Sequence, residues 1–151
     1  MSDLGSTAGF FYDTTVDEYL LHLRDDETKY APNQWASFAG GIKQGETPLE
    51  ALLREYDEET GLIISREHTF FLRQTTNQLG NPSHRHVSLL QKETVVIRLR
   101  EGKATGWFTR EQVFALPNLT PPTRADIDLF SAELTDSSKR RLVQLLNSTA
   151  P

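Results

Sequence analysis

The chain has 151 residues and a formal net charge of −5, with 37% hydrophobic and 25% charged residues. This length fits one domain with a sizeable core, and the lack of cysteine excludes disulfide scaffolds, cysteine-ligated metal sites and cysteine nucleophiles. The acidic balance argues against general nucleic-acid binding. Because we see no membrane-length apolar stretch and no start typical of a signal peptide, we expect a cytoplasmic protein without a membrane partner.

The first part of the chain is predicted to contain two strands, a glycine-rich loop and a long helix. Residues 1–8 are expected to form a flexible tail, with the domain occupying 9–151. The predicted elements, in order, are strands at 9–12 and 19–23, a short apolar segment at 35–38, a glycine-rich loop at 39–45 and a helix at 47–60. Thr47 is the expected N-cap of this helix, Pro48 its first residue, Glu50 the partner in a capping box and Gly61 the stop.

The second part alternates strands with helices. The predicted strands cover 62–64, 68–75, 85–91, 94–99 and 104–108, with a turn at 77–82. Helices are predicted at 109–114, 124–134 and 139–146. This order favours a mixed α/β domain in which the long helix packs on a sheet.

The helix at 47–60 carries an acidic stripe. At about 100° per residue, Glu55, Glu58 and Glu59 lie along one side, while Leu52 and Tyr56 lie on the apolar side. The three carboxylates repel one another, and the helix dipole disfavours anions near the C-terminal end. A hard divalent cation such as Mg²⁺ or Mn²⁺ would relieve both penalties. The alternative is an ordinary solvated acidic face.

The loop and the helix together carry a specific spacing. Gly40 is followed after five residues by Glu46, and seven residues later the sequence REYDEETGL begins at Arg54. This pattern resembles the signature of the MutT-like Nudix hydrolases, G-x5-E-x7-R-E-U-x-E-E-x-G-U, in which U is usually aliphatic. Tyr56 departs from it at the first U position, where its ring can still pack on the apolar face. Residues 9–134 are similar, more loosely, to bacterial single-domain members of the family.

The resemblance implies an α/β/α sandwich with a mixed sheet, the Nudix fold. It also implies hydrolysis of a nucleoside diphosphate linked to another moiety, with Mg²⁺ or Mn²⁺ as cofactor. A nucleoside triphosphate, an oxidised nucleotide and a nucleotide sugar all remain open as substrates. A catalytically silent domain of the same fold, which senses nucleotides or binds a partner, is the alternative, and a homodimer is left open.

The resemblance also assigns roles to residues. The implied metal ligands are Gly40, Glu55, Glu58 and Glu59, while Glu46 supports the site. The implied catalytic residues are Arg54, which orients the glutamates, together with Glu55, Glu58 and Glu101. Glu101 lies where some members have an additional ligand or base. The general base stays open among Glu55, Glu58, Glu59 and Glu101.

Three further residues are candidates for substrate binding. Arg85 is a candidate contact to phosphate or base, with His86 beside it, and Phe38 is a candidate for stacking on a base. The alternatives are an ordinary strand edge for Arg85 and His86 and a place in the hydrophobic core for Phe38.

Overall fold

The computed structural model describes residues 4–148 and shows one seven-stranded mixed sheet and four α-helices within them. The strands are β1 (Ser6–Asp13), β2 (Glu18–Leu23), β3 (Trp35–Ala36), β4 (Phe38–Gly41), β5 (Thr69–Thr76), β6 (Pro82–Leu89) and β7 (Ala104–Thr109). The helices are α1 (Pro48–Thr60), α2 (Arg110–Ala115), α3 (Pro121–Ala132) and α4 (Asp136–Ser148). Within this described part, no helix is long and apolar enough to cross a bilayer.

Strand β1 organises the sheet. It runs parallel to β6 on one side, and on the other side its first half pairs with β4 and its second half with β2, both antiparallel. Strand β2 pairs in turn with β7 and β3, and β6 pairs with β5. Segment β3–β4 therefore fills the place where β1 and β2 part, with Ser37 between the two short strands.

Helices cover both faces of the sheet. Leu52 and Tyr56 of α1 pack on Phe11, Leu20 and Phe38 on one face. On the other face, residues from α2 and α3 pack on a second buried group, which comprises Phe10, Tyr12, Tyr19, Leu21, Val87, Leu89, Val113 and Ile127. Two cores separated by one mixed sheet make an α/β/α sandwich, as the resemblance in sequence implied.

Helix α1 begins and ends as its sequence predicts. The backbone N–H of Glu50 donates to the Thr47 hydroxyl at 3.1 Å, and the backbone N–H of Thr47 donates to the Glu50 carboxylate at 2.9 Å. Gly61 ends the helix in the left-handed conformation at φ +74°, with its N–H on the Asp57 carbonyl. These caps fix the position at which the acidic stripe meets the preceding loop.

Two predicted strands, at 62–64 and 94–99, are wrong. Residues 95–100 instead run along the end of α1, where the N–H groups of Arg98 and Arg100 donate to the Thr60 and Glu59 carbonyls at 2.9 and 2.8 Å. These are carbonyls that a helix end leaves without an intrahelical partner. Val95 and Ile97 pack on the α1 core while Val96 is exposed, so the alternation that predicts a strand is present without a ladder.

Part of the segment predicted as a tail, residues 1–8, belongs to the sheet. Strand β1 begins at Ser6, and Thr7 is buried with its hydroxyl donating to the Pro48 carbonyl at 3.0 Å. Residues 1–3 lie outside the described residues. The two last helices also differ from their predicted bounds, because α3 begins at Pro121 and α4 extends from Asp136 to Ser148.

Candidate active site

Arg54 forms ion pairs with three of the predicted glutamates. Arg54 binds both oxygens of Glu46, at 2.7 and 2.9 Å, and its Nη1 donates to Glu55 at 2.8 Å and to Glu58 at 3.2 Å. We call these four residues the Arg54 cluster. The Nη2 of Arg54 also donates to the Gly41 carbonyl at 3.0 Å, which ties the helix to β4. The hydrogen bonds from Arg54 lower the pKa of Glu46 to about 2. Glu46 therefore stays ionised and fixes the guanidinium in place.

Glu55 lies directly against Gly40, which belongs to β4 and not to the glycine-rich loop predicted at 39–45. A Cβ atom built on Gly40 would overlap the Glu55 carboxyl group, so a side chain at this position would displace the glutamate. Burial raises the pKa of Glu55, and the charges of Glu58 and Glu101 add to the effect while Arg54 opposes it. The spacing between Gly40 and the helix thus brings a carboxylate onto the backbone of β4.

Glu59 is the most buried of the predicted ligands. It is 2% exposed, and its Oε2 has no hydrogen-bond partner among the described residues. Burial raises its pKa to about 9, with further contributions from Glu101 and Glu55, although the backbone N–H of Ala39 donates to its carboxyl group. A buried carboxylate oxygen without a partner is costly. This atom calls for either a proton or a cation.

Glu101 is brought to the site by the turn that follows the 95–100 segment. The N–H of Lys103 donates to the Leu23 carbonyl at 2.8 Å. Gly102 adopts φ +90°, and a Cβ there would lie only 2.9 Å from the same carbonyl oxygen. The exposed Glu101 lines one cavity together with Glu59 and Gly40. Sequence reasoning placed Glu101 by resemblance alone, because the turn that positions it depends on contacts with β2.

These residues fit a hard divalent cation. Within residues 4–148, no three Asp, Glu or His side chains already converge as a set of metal ligands, and Arg54 holds one oxygen each of Glu55 and Glu58. The unpartnered Oε2 of Glu59 and the carboxylates that raise its pKa are nonetheless the oxygen donors that Mg²⁺ and Mn²⁺ prefer.

The cavity beside Glu59 has a volume of about 430 Å³, within the range of small-molecule sites. Part of its wall is a group of buried hydroxyls from two parts of the chain. The backbone N–H of Ser37 donates to the Thr123 hydroxyl at 3.0 Å, and the Thr120 hydroxyl donates to the same atom at 2.8 Å. The beginning of α3 is thereby joined to the segment between β3 and β4.

Arg85 also lines this cavity and is 8% exposed. Its Nε donates to Asp126 at 2.7 Å, and the other oxygen of Asp126 accepts from Arg73 Nε at 2.7 Å. We call these three residues the Asp126 cluster. Sequence reasoning missed Asp126 and Arg73. The available signal was an acidic residue on the buried side of α3, next to Ile127 and one turn from Thr123.

The structure does not bring His86 or Phe38 to the cavity. Neighbouring residues of a strand point to opposite faces, and His86 packs edge-on against Phe71 with its Nδ1 at 3.3 Å from the Ala8 carbonyl. Phe38 is fully buried between Phe11 and His22. Both side chains contribute to packing, so neither is part of the site proposed below.

Comparison with known proteins places this arrangement in a family. The NUDIX domain model matches residues 5–130. Similar solved structures include a MutT protein from Methanosarcina mazei Go1, with TM-score 0.70 and 18% identity over 86% of this chain and 94% of that one. The NUDIX domain of Shewanella oneidensis NrtR, complexed with ADP ribose, gives 0.71 and 15% over 89% and 90%. A C. elegans Ap4A hydrolase gives 0.57 and 17% over 95% and 98%. At these identities the structural likeness shows only the fold. The family model matches most of the chain and therefore shows the family. The chain belongs to the Nudix family of hydrolases.

Proposed function

We propose that the protein is a metal-dependent pyrophosphohydrolase that cleaves a nucleoside diphosphate linked to another moiety. The observation that carries this proposal is the buried, unpartnered oxygen of Glu59 in the wall of the cavity. Such an atom destabilises the fold unless a proton or a cation satisfies it, and its place in the cavity wall supports a role in holding a cation.

In this proposal, the residues of the site have separate roles. Glu55, Glu58, Glu59 and the Gly40 carbonyl would hold Mg²⁺ or Mn²⁺, which neutralises phosphate charge and lowers the pKa of a bound water. Arg54 orients Glu55 and Glu58, while Glu46 holds Arg54 by its two oxygens. A carboxylate of the site accepts the proton from the attacking water. Glu55, Glu58, Glu59 and Glu101 are the candidates for that base.

The cavity supplies the substrate site. Its volume of about 430 Å³ fits the nucleoside part of a nucleotide, and the wall includes Arg85 and the hydroxyls of Ser37 and Thr123. A nucleoside triphosphate, an oxidised nucleotide and a nucleotide sugar all meet these requirements. We propose that the protein acts on small molecules and that it does so in the cytoplasm.

A substrate panel tests the proposal. Purified protein is assayed for phosphate, pyrophosphate and mononucleotide release from the three substrate classes, with Mg²⁺, with Mn²⁺ and with EDTA. We expect release that depends on the cation, and a loss of about 10²-fold in Glu55→Gln and Glu59→Gln. Glu93→Gln, which alters an exposed carboxylate outside the site, serves as the control.

The same assay separates the alternative function. Nucleotide binding without turnover of any substrate would contradict the hydrolase proposal and support a catalytically silent nucleotide-sensing domain. Calorimetric titration of Mn²⁺ into the wild type and Glu59→Gln gives a second readout, since the glutamine variant should bind the cation more weakly.

A further inference from the structure

A buried excess of positive charge borders the cavity. In the Asp126 cluster one carboxylate serves two guanidinium groups, and the side chains of Asp126 and Arg85 are 1% and 10% exposed. Removing such charges from water is costly unless each group finds polar partners. Arg73 is 29% exposed on its side chain and does not line the cavity. The demand for a further acceptor therefore falls on Arg85.

The guanidinium of Arg85 has donors left over. An arginine carries five N–H donors and no acceptor. Asp126 takes the Nε donor, and Ser83 lies at the long distance of 3.3 Å from Nη1. The Nη2 group makes no hydrogen bond to any described residue. Because Asp126 fixes the side chain from behind, the terminal N–H groups form an oriented pair of donors in the wall of the cavity.

The sheet register sets the distance between this arginine and the carboxylates. Ala8 of β1 is paired with Ala39 of β4 on one side and with Arg85 of β6 on the other. The N–H of Ala39 donates to the Glu59 carboxyl group. Two strand spacings therefore separate the backbone at Arg85 from the backbone beside Glu59, which is about 9–10 Å. This separation is comparable to the span of a nucleotide from its phosphate to the far edge of its base.

We infer that Arg85 reads the nucleobase, and that the cavity selects bases that present two adjacent hydrogen-bond acceptors. Guanine offers N7 and O6 in this way, and cytosine offers N3 and O2. Adenine places the N6 amino donor beside N7, so one of the two arginine donors would face another donor. This inference rests on the proposed nucleotide substrate and narrows its class.

Asp126 acts in this scheme as a positioning residue. Its two oxygens hold Nε of Arg85 and Nε of Arg73 at 2.7 Å each. A lysine in place of Arg85 would keep a positive charge near Asp126 but would lose the paired donors. A lysine in place of Arg73 makes the same change on the side of Asp126 that does not face the cavity. The two substitutions are therefore matched.

The test measures binding without catalysis. GMP, CMP, AMP and 7-deaza-GMP are titrated into the wild type, Arg85→Lys and Arg73→Lys by calorimetry in EDTA, with ligand up to millimolar concentrations. We expect GMP or CMP to bind about 5- to 150-fold more tightly than AMP. Arg85→Lys should abolish this preference and Arg73→Lys should keep it. If GMP is the preferred ligand, 7-deaza-GMP should lose most of its advantage.

Several results would overturn the inference. AMP that binds as tightly as GMP and CMP, or no binding of any mononucleotide, would do so. An Arg85→Lys variant that weakens all ligands equally would show that Arg85 contacts phosphate instead. If Arg85→Lys fails to fold, the comparison of GMP with 7-deaza-GMP and of CMP with AMP on the wild type still decides. Since no cation or turnover is involved, failure of the hydrolase proposal would appear only in the substrate panel.

Discussion

The Arg54 cluster and the Asp126 cluster are reversed versions of one arrangement. In the first, one guanidinium faces three carboxylates, and the side chain of Glu58 is 51% exposed. In the second, one carboxylate faces two guanidinium groups and is 1% exposed. The first cluster carries excess negative charge suited to a cation, and the second carries excess positive charge suited to a hydrogen-bond acceptor. A nucleotide, with phosphates at one end and a base at the other, needs both.

The two clusters also differ in what each should contribute to stability. Solvent reaches the Arg54 cluster at Glu58, which is 51% exposed, and in part at Arg54 and Glu46, which are 21% and 19% exposed. Their ion pairs are therefore partly screened and should contribute less to folding. In the Asp126 cluster the carboxylate and Arg85 are shielded from water, although Arg73 is 29% exposed. Removal of the carboxylate would leave two guanidinium groups without their shared partner. We therefore expect function to depend on both clusters and folding to depend mainly on the second.

The largest expected effect is a loss of stability when the carboxylate of the Asp126 cluster is removed. Asp126→Ala should lower the free energy of unfolding by about 3–5 kcal/mol, because it leaves buried charge unpaired. Glu46→Ala, the matched change in the Arg54 cluster, should lower it by about 1 kcal/mol or less. Urea denaturation of both variants at one pH gives the two values. Equal losses would mean that burial does not distinguish the clusters.

Sequence reasoning found every member of the Arg54 cluster but only Arg85 of the Asp126 cluster, and the reason is physical. The members of the Arg54 cluster lie in one loop and one helix, where spacing along the chain determines spacing in the fold. Arg73, Arg85 and Asp126 come from β5, β6 and α3. Their meeting depends on the pairing of β5 with β6 and on the packing of α3, and short-range patterns do not contain that information.

The wrong predictions have a similar origin. The consecutive β-branched residues Val95, Val96 and Ile97 are typical of a strand, but the backbone N–H groups that follow them bond to the end of α1 instead of a neighbouring strand. Phe38 was a candidate for stacking because aromatic side chains suit both bases and cores. Its full burial depends on how β4 pairs with β1, which the sequence alone does not reveal.

The next effect concerns the contact between Gly40 and Glu55. Gly40→Ala should reduce kcat by about 10²-fold, because the new Cβ displaces the glutamate and small displacements of catalytic groups have effects of this size. Gly45→Ala is the control, since no atom of the described residues lies within 4 Å of a Cβ there although φ is +86°. The control should lose about 1 kcal/mol of stability through backbone strain and keep its activity. Equal loss of activity in the two variants would show that loop strain, and not contact with Glu55, is responsible.

The last expected effect is an increase in stability, whereas the changes above lower it. Burial and the nearby carboxylates raise the pKa of Glu59 to about 9, against about 4.3 in an unfolded chain. Between these pH values the folded state binds the additional proton, so the stability of the metal-free protein should fall as pH rises from about 4 to 9. Glu59→Gln replaces the titrating carboxyl group with a neutral amide and so removes this pH dependence. At pH 8 in EDTA the glutamine variant should therefore be more stable than the wild type, with a Tm higher by at least about 2–4 °C for a domain of this size.

This prediction separates a ligand-binding carboxylate from an ordinary buried one. Glu93→Gln, an exposed change outside the site, is the control for replacing a glutamate by a glutamine. Mg²⁺ should raise the Tm of the wild type more at pH 8 than at pH 5, because the cation competes with the proton for the same oxygens, and should have little effect on Glu59→Gln. If the glutamine variant were less stable than the wild type at pH 8 in EDTA, the Glu59 carboxyl group would be a structural partner of the fold. A variant that is more stable and also inactive would show that the chain maintains an unfavourable buried carboxylate for the sake of its chemistry.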